Sequence, residues 1–320
     1  MRGIFYWPGK NLVSAIPLVL ILGFITGFLV DTSGLQPYIL LITVLMIYPT
    51  MIGFNVKEAF NLSYWQVLGI SLILNFLLIP VLAFGLGKIF LYNEPQLFAG
   101  LVLASLLPTS GMTISWTMLF KGHVAAAVKI TAISLILGSF LAPLYLKIMV
   151  GQIVPINIMK TFITIAWVVF LPMVLGHFTF QLLLKKYTKE YFQKNIKPIF
   201  PSISVWAMLL LIFISISLKS KMIIENPGFL VQGLLVLTIF YTANFAISTI
   251  IGRTFLHRGD AVALVYGTVM RNLSLALGLA VTTFGPKAAI MVTLAFILQV
   301  QGAAWYGKMA SKWNWLGEKV

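Results

Sequence analysis

The sequence contains no cysteine. Disulfides, thiolate metal sites and thiol nucleophiles are therefore excluded. Carboxylates are nearly as scarce, with seven Asp and Glu against 22 Lys and Arg in 320 residues. Charged residues make up 9% of the chain, where a soluble domain carries about a quarter. No carboxylate falls in the interior of a long apolar run, and His123, His177 and His257 all lie near the ends of such runs. A hydrolytic or metal-binding constellation thus lacks donors. There is also no glycine-rich phosphate loop of the kind an ATP-driven pump needs. Neither an enzyme nor a cofactor is expected.

What the chain does have is apolar residues, 60% of the total, and a mean hydropathy of +1.01. About twenty such residues cross a bilayer as a helix. The composition predicts an all-α polytopic membrane protein, one transmembrane domain over 1–320. Ten apolar segments separate at charged or Pro/Gly breaks, near 12–30, 36–55, 65–90, 97–120, 123–149, 158–184, 201–218, 229–251, 260–284 and 287–309. The first follows Arg2 and Lys10 but is longer than a signal-peptide core and lacks a small-residue cleavage site, so it reads as a retained span. The long polar connection, Lys185 to Pro198, reads as a surface segment linking two halves.

The net charge of +15 could suggest nucleic-acid binding. Its lysines and arginines gather at the ends of apolar segments, however, as topology determinants do. With the N-terminus inside, fourteen fall on the inner side and six on the outer. Both termini are predicted cytoplasmic, in the cell membrane of a prokaryote, with lipid and a small solute as partners and no nucleic acid.

An internal repeat is visible. Gly87-Lys88-x-Phe90-Leu91 resembles Gly252-Arg253-x-Phe255-Leu256, and Phe120-x-Gly122-x-x-Ala125 resembles Phe284-x-Pro286-x-x-Ala289. The offset equals five spans, and an odd number turns the second copy upside down. This predicts inverted repeats at 12–150 and 158–309, a hallmark of secondary transporters, whose sites lie where two spans break near mid-membrane. Span four carries Pro108-Thr109-Ser110-Gly111 and then Thr113; span nine carries Gly267-Thr268 and then Arg271-Asn272. Arg271 lies 13 residues after Arg258 and 16 before Lys287, roughly 20 Å from either along a helix. An arginine that deep costs at least ~2.5–3.5 kcal/mol. It must face the protein interior, take acceptors such as backbone carbonyls at the break, or bind an anion. Lys129, about 10 Å into the membrane, can also snorkel. Asn75, Asn244, Gln299 and Gln301 fit either helix–helix hydrogen bonding or ligand binding.

The segments PQLFAGLVLASLLPTSGMTISWTMLFKGHVAAAV (Pro95 to Val128) and MRNLSLALGLAVTTFGPKAA (Met270 to Ala289) resemble the bile acid:sodium symporter family. The resemblance covers nearly the whole chain. It implies two inverted five-helix repeats forming a panel and a core, with broken helices four and nine crossing in the core. It also implies the loss of the family's sodium ligands. The Ser-Asn pair after the span-four break falls on Thr113 and Ile114, the span-five Ser and Thr on Ala127 and Thr131, and the span-three Gln on Asn75. The span-nine Glu shared between two sodium ions falls on Gly267 and the following Gln on Arg271, while the adjacent Asn is kept as Asn272.

The segment around Trp116 also resembles the arsenite-efflux branch, whose Cys after the proline is Thr109 here and whose span-nine Glu falls near Ser274. The expectation is a sodium-independent secondary transporter of a small anionic solute, in which Arg271 supplies a fixed positive charge and grips a carboxylate bidentately. Its candidate binding set is Arg271, Asn272, Thr268, Gly267, Pro108, Thr109, Ser110, Thr113, Asn75, Thr131 and Lys129. The alternatives are an arsenite or related oxyanion permease and a non-transporting membrane sensor.

Overall fold

A computed structural model describes residues 2–53, 64–109, 111–151, 171–218, 220–225 and 227–317, with 159, 163 and 167 singly. Every regular element among them is helical. Hydrocarbon offers no hydrogen-bond partners, so a spanning backbone must satisfy itself within the segment. Among the described residues, six helices are long and apolar enough to cross a membrane: Trp65–Phe90, Val124–Val150, Lys189–Ser217, Gly228–Phe255, Arg258–Phe284 and Pro286–Lys312. Ser14–Leu29 and Pro95–Leu106 are shorter apolar helices. The predicted sixth span is described as a helix only from Leu171 onward.

We number the principal helices α1 (Arg2–Lys10), α2 (Leu12–Leu29), α3 (Ile39–Met51), α4 (Trp65–Ile73), α5 (Ile79–Phe90), α6 (Pro95–Leu106), α7 (Gly111–Leu119), α8 (Val124–Val150), α9 (Leu171–Lys186), α10 (Phe200–Ser217), α11 (Gly228–Phe255), α12 (Arg258–Val269), α13 (Leu273–Leu279) and α14 (Pro286–Lys312). The chain divides into two compact units, each drawing on both sequence halves. One comprises Met1–Phe54, Asn157–Gly228 and Ser274–Thr293; the other comprises Asn55–Ile156, Phe229–Leu273 and Leu294–Val320.

In the first unit α2 and α10 approach through small residues. A Cβ on Gly23 would sit 2.8 Å from the Phe213 carbonyl oxygen, and one on Gly27 would overlap the Ser217 backbone. Such contact is how membrane helices gain packing without a hydrophobic drive. Tyr48 and Thr179 share a hydroxyl–hydroxyl bond of 2.6 Å between α3 and α9. The polar connection after α9 is not a loop. Lys189–Tyr191 is helical, Phe192–Ile196 is a π-turn and Lys197–Ile199 a 3-10 turn leading straight into α10.

The second unit holds two interrupted spans. Pro108 disfavours the α conformation at the residue before it, and Leu107 accordingly takes φ −102°, ψ 82°, ending α6. Thr109 follows at φ 61°, a left-handed conformation uncommon for any residue but glycine. In the other span α12 stops at Val269 and Met270 takes φ −77°, ψ 78°. The Arg271 N–H returns to the Val269 carbonyl at 2.9 Å, a γ-turn. Span three is bulged rather than broken, with a π-turn over Leu74–Leu78 between α4 and α5.

Candidate functional site

The two breaks meet. The Asn272 N–H donates to the Leu107 carbonyl at 2.8 Å, tying the interruption of one span to that of the other. Helices α6 and α12 both present their C-terminal ends here. The last carbonyls of a helix have no partner within it and carry the negative end of its dipole.

Arg271 answers part of this demand. Its side chain is 1% exposed. Nη2 donates to the Ser105 carbonyl at 2.6 Å, near the end of α6. Nη1 donates to Asn75 Oδ1 on the π-turn. The amide of Asn75 is held in turn, its Nδ2 donating to the Gly267 carbonyl at 3.0 Å and to Ser71 Oγ at 3.0 Å. The backbone of Arg271 is clamped by Gln299, whose Oε1 accepts from the Arg271 N–H at 2.8 Å and whose Nε2 donates to the Arg271 carbonyl at 3.2 Å. Tyr241 steadies that amide from α11, its hydroxyl donating to Gln299 Oε1 at 3.1 Å. The π-turn also releases the Phe76 carbonyl, which accepts from the Tyr145 hydroxyl.

The other carbonyls at the end of α12 have side-chain donors as well. Asn244 Nδ2 reaches the Thr268 carbonyl at 3.2 Å. Thr113 Oγ1 approaches the Tyr266 and Met270 carbonyls at 3.3 and 3.4 Å. Thr268 Oγ1 pairs with Ser248 at 2.6 Å. Buried backbone acceptors away from water are costly to leave open, and here side chains from α7 and α11 close them.

The structure brings Arg271, Asn272, Gly267, Thr268, Thr113 and Asn75 together, with Leu107 bonded to Asn272, while Pro108 lies beside Gly138 and Thr109 beside the Thr131 carbonyl. Thr109 Oγ1 donates to the Pro108 carbonyl at 2.8 Å. Thr131 turns its hydroxyl to its own helix, onto the Ala127 carbonyl at 2.7 Å. Ser110 lies outside the described residues. Lys129 is 3% exposed, with its ammonium 4.3 Å from the centre of the Trp65 ring, so it is packed on an aromatic face. Nη1 and Nη2 of Arg271 each serve a protein acceptor, and among the described residues Nε has no hydrogen-bond partner. Gly267 has room for little else: a Cβ there would lie 3.1 Å from Ile130 Cγ2. Of the residues that complete the site, Ser105 contributes only its backbone, which leaves no mark in a sequence. Tyr145 and Ser71 are ordinary side chains in apolar runs.

The sequence of residues 39–226 matches the model of the Sodium Bile acid symporter family, more than half of the chain. The chain belongs to that family. It is 26% identical over 239 residues to Uncharacterized protein YbaS of Bacillus subtilis (strain 168), covering 73% of this chain and 76% of the relative. It is 24% identical over 279 residues to Arsenical-resistance protein Acr3 of Corynebacterium glutamicum, covering 83% and 75%. A third relative, Uncharacterized sodium-dependent transporter YocS of Bacillus subtilis (strain 168), is 25% identical over 228 residues, covering 71% and 67%. Its family and its six long apolar helices make this symporter-family chain an integral membrane protein of the transporter class.

Proposed function

We propose that the chain is a secondary transporter that moves a small anionic solute by alternating access, and that Arg271 supplies permanently the positive charge that a bound sodium ion supplies in sodium-coupled relatives. In this reading ten spans form two inverted five-helix repeats, 12–150 and 158–309, with both termini cytoplasmic and one bundle rocking against the other. The supporting observation is the guanidinium itself. It sits at the C-terminal end of a half-helix, with the Ser105 carbonyl and Asn75 Oδ1 as oxygen acceptors, as a cation would among unwound backbone carbonyls.

The position that the family resemblance gives to the carboxylate shared by two sodium ions is Gly267, which packs on Ile130. The site therefore keeps a positive charge with no carboxylate in the interior of any predicted span to cancel it. That charge favours an anionic solute, with Nε–H, unpaired among the described residues, as the donor left for it. Without a spanning carboxylate there is also no obvious proton carrier, which favours exchange or facilitated movement. The test is counterflow of small carboxylates in proteoliposomes. Wild-type protein should exchange label in a choline medium, and Arg271→Gln should lose exchange by tenfold or more. Equal exchange by the variant would refute the role given to Arg271.

A second reading, an arsenite or related oxyacid as cargo, is favoured by the likeness to Acr3 over 83% of the chain. Expression in an arsenite-sensitive host decides it: restored tolerance would support this cargo over a carboxylate.

A further inference from the structure

We propose that the segment Lys185–Lys197 and helix α1 together form a binding surface for the headgroups of anionic phospholipids. This inference rests on the first unit alone and is independent of the solute. Lys185, Lys186, Lys189, Lys194 and Lys197 are all exposed, with Glu190 the only acid among them. A topology determinant needs only charge, and a floppy linker would serve.

This segment is built instead. Phe192 is fully buried, against the Phe180 ring at 4.9 Å and the Phe200 ring at 6.2 Å. Thr188 caps the short helical turn, its Oγ1 accepting from the Tyr191 N–H at 3.2 Å. Tyr187 and Tyr191 stack at 5.2 Å, and Lys186 reaches over the Tyr187 ring. The lysines are thereby fixed on one scaffold that begins where α9 ends and closes where α10 begins.

Helix α1 lies beside that same end of α10. Trp206 Nε1 donates to the Phe5 carbonyl at 3.1 Å, and Gly9 faces Ser202. Trp7 is 45% and Trp206 43% exposed. Tryptophan and tyrosine settle at headgroup level, so the aromatic collar sets the depth at which the lysines meet phosphate. Free phosphate would satisfy the lysines but not the collar, which assigns the surface to lipid.

The experiment is lipid competition read by native mass spectrometry on the full-length protein in detergent, with phosphatidylglycerol against phosphatidylcholine. The unaltered protein should retain phosphatidylglycerol preferentially. Each lysine near such a surface contributes about fivefold in binding, so K185Q/K186Q/K189Q should lose roughly a hundredfold of the preference. High salt should erase it in the unaltered protein, which keeps the test valid if the triple variant folds poorly. The control K88Q/K221Q, which changes exposed lysines outside the segment, should retain the preference. Absence of preference in the unaltered protein, an equal loss in the control, or displacement of lipid by inorganic phosphate would overturn the assignment.

Discussion

Arg271 donates to oxygens on two different helices while its backbone is clamped from a third. Replacing it with alanine relieves the desolvation of a guanidinium but orphans Asn75 Oδ1 and the Ser105 carbonyl, at about 1–3 kcal/mol each. The expected result is a lower melting temperature for Arg271→Ala, recovered in part by millimolar guanidinium but not by urea. A variant that melts like wild type would show that the two oxygens find other partners. Asn75→Leu should destabilise as well, because it removes both the acceptor for Nη1 and the donor to the Gly267 carbonyl. At this scale the sequence was legible for Arg271, whose charge stands out in an apolar run. It was legible only in part for Gln299 and Asn244, since a buried amide serves helix packing and ligand binding equally well. It was silent on Ser105, because a backbone carbonyl has no side-chain signature.

Among the elements, the broken spans and the π-turn set the geometry. The break at Pro108 is written in the sequence, because the proline ring forces Leu107 out of the helix. The π-turn over Leu74–Leu78 is not, since its residues LNFLL contain neither proline nor glycine and read as uninterrupted helix. Deleting Leu77 should heal the turn into regular helix, closing the wide turn and re-aiming Asn75 relative to α5. The deletion should then destabilise as much as Asn75→Leu does, although the asparagine is still present. Thermal unfolding of the two variants side by side checks this. Packing elsewhere in the unit is equally exacting. A Cβ on Gly307 would overlap the Phe120 ring and approach the Tyr266 hydroxyl to 2.5 Å, so Gly307→Ala should cost about 1–3 kcal/mol by overpacking. The lysine-rich connection reads from its polarity as a surface segment, and its lysines are exposed; its helical turns, pinned by Phe192, are what composition does not show.

At the scale of the whole molecule, the membrane class and the six long apolar helices among the described residues were legible, because a bilayer demands about twenty apolar residues in a row. A division into panel and core entered only through the family resemblance; which segments make up each compact unit was not legible, because each gathers segments from both sequence halves. The proposed topology has a direct check that the absence of cysteine makes easy. Single cysteines at positions 194 and 221 need no background substitutions. With cytoplasmic termini, an impermeant maleimide should label position 221 in intact cells and position 194 only after permeabilisation. The central claim, that a tethered cation replaces a mobile one, is tested most directly by the melting temperature of the purified wild-type protein in sodium chloride against choline chloride at equal ionic strength. The account predicts coincident curves at all concentrations. A saturable, sodium-specific rise in melting temperature would contradict it.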